Sequence, residues 1–258
     1  MEIVFLGTGG GRINLIKQIR ATAGFRIDSK SANIHVDPGP GALLHSLKEK
    51  KDPLSLDCII VTHNHIDHSS DAMVLVEAMT GYGLKKRGIF IGSKQAIEGN
   101  EKGEDQAIHQ YHKSKIEHIY TAIPGGKETL DAGKGPFSIE TFQMNHDEPT
   151  AFGFKLYLDG KTIGYISDTE YMDSLGSDFV GCDLLVINCL KPEDDKYVGH
   201  LKTGDVIEIL KAAKPKRCVI THLGLKMLRI GPGKEAQKIQ EATGVETIAA
   251  RDGMKLNI

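Results

Sequence analysis

One heptapeptide, Thr-His-Asn-His-Ile-Asp-His at residues 62–68, constrains the fold more than any other part of this sequence. It follows residues 57–61, an apolar run of strand length that is rich in β-branched side chains. In an extended segment His63 and His65 point to the same side, so both imidazoles can bind one metal ion. The motif therefore predicts a metal site just beyond a buried strand, where the loops of layered α/β domains carry chemistry.

The second half of the heptapeptide supplies further ligands. Asp67 and His68 follow the point where the chain must turn, so they can face a second metal ion beside the first. Imidazole and carboxylate groups without a thiolate suit a hydrolytic metal site and not a cysteine-rich structural zinc site. We expect two divalent ions, with zinc as the first choice and manganese or iron as alternatives.

The pattern H-x-H-x-D-H after a strand resembles the hallmark of the metallo-β-lactamase superfamily. Other histidines and aspartates follow later strand-like runs in the order that this family uses. The resemblance implies two groups of three ligands and one bridging residue: His63, His65 and His146 for one ion, Asp67, His68 and His222 for the other, and Asp168 for both. In the family, such a pair of ions holds a hydroxide that attacks a phosphoryl group.

The distribution of strand-like and helix-like runs predicts an α/β or α+β fold. The chain has 258 residues, of which 40% are hydrophobic, and we expect one domain over residues 1–258. Residues 151–158 and 161–166 predict a hairpin through Asp159-Gly160, and residues 203–213 predict an amphipathic helix. The resemblance implies the more specific four-layer αββα sandwich, with two mixed sheets between helices.

The same resemblance extends to residues around the metal site. Gly7-Thr8-Gly9 matches a loop that lies beside the active site in RNase Z, so Thr8 and Gly9 are expected to contact substrate. Arg20 is a candidate for holding a substrate phosphate. Asp37, in the turn Asp-Pro-Gly, is expected to orient the ligand histidines from behind.

Two residues are candidates for a direct part in catalysis. Asp67 is one, since the family keeps an aspartate at this place in the motif. His200 is the other, because it matches a histidine that helps to protonate the leaving oxygen in RNase Z. General acid catalysis of this kind is typically worth about 10²–10⁴-fold.

The ligand set favours a phosphodiesterase within the superfamily, because Asp67 and Asp168 occupy positions where the phosphodiesterase branches carry aspartate. RNase Z has a His-Glu-Ala-Thr-like box and a long tRNA-gripping arm. Residues 188–192 read Asn-Cys-Leu-Lys-Pro instead, and no such arm is evident. These features are closer to the phosphoribosyl cyclic phosphodiesterase group and favour a small or cyclic phosphodiester substrate. The alternatives are an RNase Z-like endoribonuclease acting on tRNA precursors and a non-catalytic metal-binding or sensing protein.

The amino-acid composition limits the kinds of binding partner and the cellular compartment that suit this protein. A net charge of −2 and a pI near 6.6 give no overall basic footprint, although RNA remains a possible partner. No apolar run is long enough to span a membrane, and the first residues predict a strand and not a signal peptide. The scattered cysteines indicate reduced core residues and a cytoplasmic protein. The sequence does not decide whether the protein forms a homodimer, or whether residues 93–114 form a lid over the site.

Overall fold

The structure is a computed structural model that describes residues 1–193 and 199–258, and it contains two seven-stranded sheets. The first sheet is built from strands near the N-terminus and one from the end of the chain: β1 (Glu2–Phe5), β2 (Phe25–Asp28), β3 (Asn33–Val36), β4 (Cys58–Val61), β5 (Ile89–Gly92), β6 (His118–Thr121) and β14 (Met254–Asn257). Their order is β14-β1-β2-β3-β4-β5-β6. The pairs from β14 to β3 are antiparallel and those from β3 to β6 are parallel.

The second sheet has the same mixed character. Its strands are β7 (Lys127–Asp131), β8 (Pro136–Gln143), β9 (Phe152–Leu158), β10 (Lys161–Ile166), β11 (Leu184–Asn188), β12 (Arg217–Thr221) and β13 (Glu246–Ala249). They run in the order β13-β12-β11-β10-β9-β8-β7. The pairs from β13 to β10 are parallel, and those from β10 to β7 are antiparallel, with the predicted hairpin between β9 and β10.

Helices lie along both outer faces. Those described are α1 (Gly11–Lys17), α2 (Ala42–Lys48), α3 (Ile66–Ser69), α4 (Ala72–Met79), α5 (Lys94–Glu98), α6 (Gln110–Lys115), α7 (Ser174–Asp178), α8 (Thr203–Ala213), α9 (Leu225–Ile230) and α10 (Pro232–Thr243). In the described residues, no helix is both long enough and apolar enough to cross a bilayer.

Three apolar clusters hold the layers together. The central cluster lies between the sheets and joins them directly, for example where the rings of Phe25 and Tyr165 meet edge to face at 5.1 Å. A second cluster packs Leu75 and Val76 of α4 against Ile59 of β4. The third packs helices α8 and α10 against the second sheet. Each central strand is therefore buried on both faces, and the four-layer αββα sandwich is confirmed.

Several elements differ from the sequence-based expectation. Strand β2 and helices α1 and α9 were not predicted, and the C-terminal region forms two strands, β13 and β14. Helix α2 ends at Lys48, and Lys50 beyond it adopts a left-handed backbone conformation with φ of 59°. Strand β2 and helices α1 and α9 span only four to seven residues, so each offers few periodic positions.

Candidate metal centre

The side chains expected to bind metal meet at one edge of the two sheets. His63 follows β4, Asp168 follows β10 and His222 follows β12, so each comes from the carboxyl end of a strand. His146 comes from the loop after β8. Each of the seven predicted residues belongs to a group of three whose potential ligand atoms all lie within 4.8 Å of one another. The structure thus brings together all seven residues, although their separation in sequence reaches about 160 positions.

The first group contains His63, His65 and His146. Nε2 of His146 lies 3.2 Å from Nδ1 of His65. The ring of His63 lies 4.7 Å from that of His65 and 4.9 Å from that of His146, measured between centroids. Asp147, which the sequence did not single out, places Oδ1 3.0 Å from Nε2 of His146 and is largely exposed.

The second group contains Asp67, His68 and His222. Nε2 of His68 lies 3.2 Å from Nε2 of His222, and Oδ2 of Asp67 lies 3.3 Å from the latter atom. His222 adopts a left-handed backbone conformation with φ of 55°, which turns its ring back toward the first sheet. A non-glycine residue in this region costs about 1–3 kcal/mol, and such strain is concentrated at functional sites.

Asp168 lies between the two groups. Its Oδ2 is 3.4 Å from Nε2 of His68 and 4.0 Å from Nε2 of His63, and its Oδ1 is 3.3 Å from Nδ1 of His222. Asn188 donates from Nδ2 to Oδ1 of Asp168 at 2.7 Å and fixes the carboxylate. This placement is the one that the resemblance implied for a bridging ligand.

Asp37 supports the centre from behind, at the end of β3. Its Oδ1 accepts from the backbone N–H of Thr62, and its Oδ2 accepts from the hydroxyls of Thr62 and Tyr165 at 2.9 Å each. Nδ1 of His68 lies 3.0 Å from the same Oδ2 and donates to it. In neutral His68 this contact places the proton on Nδ1, so Nε2 is the nitrogen available to bind a metal ion in the second group.

The same network fixes His63. Because the Thr62 hydroxyl donates its proton to Asp37, Nδ1 of His63, which lies 3.1 Å from that hydroxyl, must be the donor. Nε2 of His63 is therefore an acceptor, and it is buried without a hydrogen-bond partner. An orphaned buried acceptor is costly unless a cation binds it. The residues present thus fit a divalent metal ion.

Electrostatics point to a cation as well. Burial lowers the pKa of His63 well below its usual value, and the neighbouring His68 adds to this. Burial also opposes charge on His68, but the carboxylates of Asp168, Asp67 and Asp37 outweigh it and hold its pKa well above the usual value. Burial raises the pKa of Asp168, yet the nearby histidines hold it well below its ordinary range. The cluster therefore favours positive charge at its centre.

His200 reaches the same cluster from the loop before α8. Its Nδ1 lies 3.6 Å from Oδ2 of Asp168, and its ring stacks on that of His222 at 5.7 Å. Burial lowers the pKa of His200 to about 4, even though Asp168 opposes this. At neutral pH the ring is then uncharged, so proton donation by His200 requires the negative charge of a bound substrate to raise its pKa.

The expected substrate contacts in the first loop are placed differently. Thr8 is fully buried, and its N–H and hydroxyl both donate to Oδ1 of Asp252. Arg20 lies 4.0 Å from the same carboxylate. Gly9 lies behind the ligand cluster, in a small buried space shared with Asp37 and His222. Asp252, 244 positions from Thr8, thus supports this loop, and contact of Thr8, Gly9 or Arg20 with a substrate stays a prediction.

An open cavity of about 750 Å³ leads to the metal ligands. His65, Asp67, His146, Asp168 and His222 form its floor. Arg12, Lys191 and Lys226 bring positive charge to its walls. The segment 93–114 lies beside the motif, where Asn64 donates to the carbonyl oxygen of Asp105. The candidate metal ligands and these basic side chains therefore line one cavity.

Some contributing residues were not anticipated as site residues. Tyr165 and Asn188 lie in strands whose apolar patterns indicate core positions, and Gly10 lies in a glycine run. A Cβ built on Gly10 would lie 2.2 Å from Nδ1 of His222, so the close approach of the loop to the ring requires glycine. Polar residues at the ends of buried strands were the available signal for Asn188.

Comparison with known proteins agrees with the fold. The profile of the family described as the Beta-lactamase superfamily domain matches residues 32–223. The chain therefore belongs to this superfamily and has the metallo-β-lactamase fold, whose members are metal-dependent hydrolases.

Individual relatives match along most of the chain. An uncharacterized protein of Methanocaldococcus jannaschii is 37% identical over 261 residues, covering 100% of this chain and 95% of the relative. Ribonuclease Z of Sulfolobus acidocaldarius is 23% identical and covers 94% of both chains. The crystal structure of the metallo-beta-lactamase fold protein YhfI from Bacillus subtilis superposes with a TM-score of 0.78 at 23% identity, covering 99% of this chain and 98% of that one.

Proposed function

We propose that this protein is a dinuclear metal-dependent phosphodiesterase that cleaves a small or cyclic phosphodiester. The observation that carries the proposal is the position of Asp168 between two groups of three ligands. Two-metal sites of this kind suit in-line displacement at phosphorus. Nitrogen and oxygen donors without a thiolate support zinc, with manganese and iron as the alternatives.

When bound, two divalent ions supply an activated water and stabilise negative charge on the phosphoryl group. The protein residues prepare that chemistry. Asp37 holds His68 in one tautomer and, through Thr62, does the same for His63. Arg12 at the cavity wall can pair with a phosphate oxygen, and His200 can donate a proton to the leaving oxygen.

The size of the cavity supports a small substrate. About 750 Å³ accommodates a nucleotide-sized molecule, within the usual range for small-molecule pockets. The net charge of −2 does not supply the broad basic surface that RNA binding uses. Four buried free cysteines support a reducing compartment such as the cytoplasm.

A second candidate function rests on a separate observation. The relatedness to ribonuclease Z extends over 94% of both chains, so an RNase Z-like endoribonuclease acting on tRNA precursors is the alternative. RNA binding by such an enzyme would weaken steeply as the salt concentration rises, because counterions are released from the phosphates.

A hydrolysis screen tests the proposal. Protein loaded with zinc, manganese or iron is assayed against bis-p-nitrophenyl phosphate, 2′,3′-cyclic nucleotides, phosphoribosyl cyclic phosphate and a tRNA precursor. We expect one of the small diesters to give the highest kcat/KM, and the His63→Ala variant to be inactive on all of them. Site-specific removal of a tRNA 3′ trailer with higher kcat/KM would favour the alternative. Full metal occupancy without turnover of any substrate would contradict both.

A further inference from the structure

Helix α1 presents its apolar side chains outward. The only buried residue of this helix is Asn14, whereas the side chains of Ile13 and Ile16 are 48% and 79% exposed. Ile66, at the start of α3, is 63% exposed. These three isoleucines, here called the isoleucine face, line the cavity of the metal centre.

The isoleucine face contributes little to folding. Asn14 anchors the helix by donating from Nδ2 to the carbonyl oxygens of Gly10 at 3.1 Å and Leu223 at 2.7 Å. Hydrogen bonds therefore hold the inner side of α1, where apolar packing is usual. A single exposed isoleucine needs no explanation, but several on one cavity wall indicate a binding surface.

The surroundings of the isoleucine face define its ligand. Leu190 and Leu225 contribute further apolar surface to the same cavity, and Ile66 lies between His65 and Asp67 in the chain. Arg12 lies next to Ile13 and also lines the cavity. Groups that bind an anion therefore lie beside an apolar wall in one pocket. A ligand that fills this pocket must carry both an anionic group and an apolar group.

We propose that the isoleucine face binds the apolar substituent of a phosphoester, so that the substrate is an amphipathic ester carrying an alkyl or aryl group. This inference rests on the proposed function and deepens it by naming the substrate class. The phosphate lies at the metal ligands and Arg12, and the substituent packs against Ile13 and Ile16. Such burial is worth about fourfold in affinity for each fully buried methylene, and about twofold for one that is half buried.

Calorimetric titration of zinc-loaded protein tests this without requiring turnover. The probes are methyl, butyl and hexyl phosphate, with thymidine 5′-monophosphate as the aromatic probe. If each added methylene is half buried, the Kd should fall about 30-fold from methyl to hexyl phosphate. Tighter binding of the nucleotide than of hexyl phosphate would identify an aromatic substituent, and the reverse order an alkyl one.

Two variants make the test specific. The double variant Ile13→Ser/Ile16→Ser should bind methyl phosphate like the wild type but lose most of the gain from methyl to hexyl. Ile123→Ser is the matched control, because Ile123 is 65% exposed and lies between β6 and β7, outside this cavity. It should retain the full chain-length dependence.

The proposal and the proposed function fail in different ways. Absence of hydrolysis with chain-length-dependent binding intact would reject only the phosphodiesterase. A Kd independent of chain length, an undiminished gain in the double variant, or no binding of any probe would overturn the inference. So would sedimentation showing a dimer that the double variant abolishes, since the isoleucines would then bind a second copy of the chain.

Discussion

The Nε2 atoms of His68 and His222 face each other at 3.2 Å, although the two residues are 154 positions apart. Asp37 accepts from the opposite ring nitrogen of His68, so in neutral His68 the nitrogen that faces His222 is the one free to bind a metal ion. Oδ2 of Asp67 lies 3.3 Å from Nε2 of His222. Despite its burial, the carboxylates around His68 raise its pKa, so a proton supplies positive charge at this position, and a divalent ion that displaced the proton would be held by Asp67, His68 and His222.

Metal stoichiometry gives the first prediction. We expect two divalent ions per chain in metal-replete protein, because Asp168 lies between two complete groups of ligands. Asp168→Ala should weaken both sites, as measured by elemental analysis and chelator competition. Glu117→Ala is the control, since Glu117 is exposed and precedes β6, at the end of the first sheet opposite the ligands. A single tightly held ion in the wild type would contradict the dinuclear site.

Asp37 gives the second prediction. Asp37→Asn replaces a carboxylate that accepts from His68, Thr62 and Tyr165, so the tautomer of His68 is no longer enforced. Loss of such a supporting contact typically costs about 10–100-fold in metal affinity. Competition with a zinc-binding dye measures this.

A pair of tyrosine variants serves as the control for Asp37. Tyr165→Phe removes one donor to Asp37 and should lower metal affinity by less than Asp37→Asn. Tyr157→Phe removes a hydroxyl that donates to Glu140, away from the site, and should leave affinity unchanged. Equal effects of the two tyrosine variants would argue against a specific role for the network.

The steric role of Gly10 gives the third prediction. Gly10 has extended backbone angles that alanine adopts readily, so Gly10→Ala acts only through its Cβ, 2.2 Å from the ring of His222. We expect the ring to be displaced and occupancy to fall toward one ion per chain. The control is Gly233→Ala in α10, where a Cβ meets nothing within 4 Å. Two tightly bound ions in Gly10→Ala would contradict this prediction and show that the loop moves, and not the ring of His222.

His200 gives the fourth prediction. If it donates a proton to the leaving oxygen, His200→Ala should lower kcat by about 10²–10⁴-fold for an alkyl diester. The loss should be much smaller for a p-nitrophenyl diester, whose leaving group departs unprotonated. Metal content should be unchanged in the variant, whereas His63→Ala should abolish both activities. Equal losses on the two diesters would leave His200 with a positioning role only.

The fifth prediction concerns stability and pH, far from the site. Asp28 accepts from Nε of the buried Arg26 and also pairs with Lys51. Burial raises the pKa of Asp28, but these two cations lower it further, so the net pKa is below its usual value. The carboxylate therefore stabilises the fold above the unfolded-state pKa near 4, and this stabilisation is lost as the pH falls through the folded-state pKa.

The variant Asp28→Asn tests this reasoning. A hydrogen bond to a charged group is worth about 1.5–3 kcal/mol, so the variant should lose about 2 kcal/mol at pH 7. The difference from the wild type should shrink as the pH falls below about 4. Urea unfolding at pH 7 and pH 3 measures both values. A difference that does not depend on pH would show that the charge of Asp28 does not matter.

The sequence by itself carried the local information. The heptapeptide at residues 62–68, the turn at Asp159-Gly160 and the helix over residues 203–213 all depend on spacing within a few positions, and the structure contains the strand, the hairpin and the helix as predicted. The position of each candidate ligand just after a strand was also readable, because β-branched runs mark strands and polar residues mark their ends. The family and the four-layer fold followed from these patterns together with the resemblance.

Tertiary structure alone decided the contacts between distant residues. Tyr165 donates to Asp37 across 128 positions, and Thr8 donates to Asp252 across 244. The sequence also did not predict that the isoleucines of α1 face outward, because a seven-residue helix anchored by Asn14 shows no ordinary apolar stripe. Periodicity reports which side of its own element a residue occupies. Which residue lies opposite depends on the order of strands in the sheets, and that order is set by packing of the whole chain.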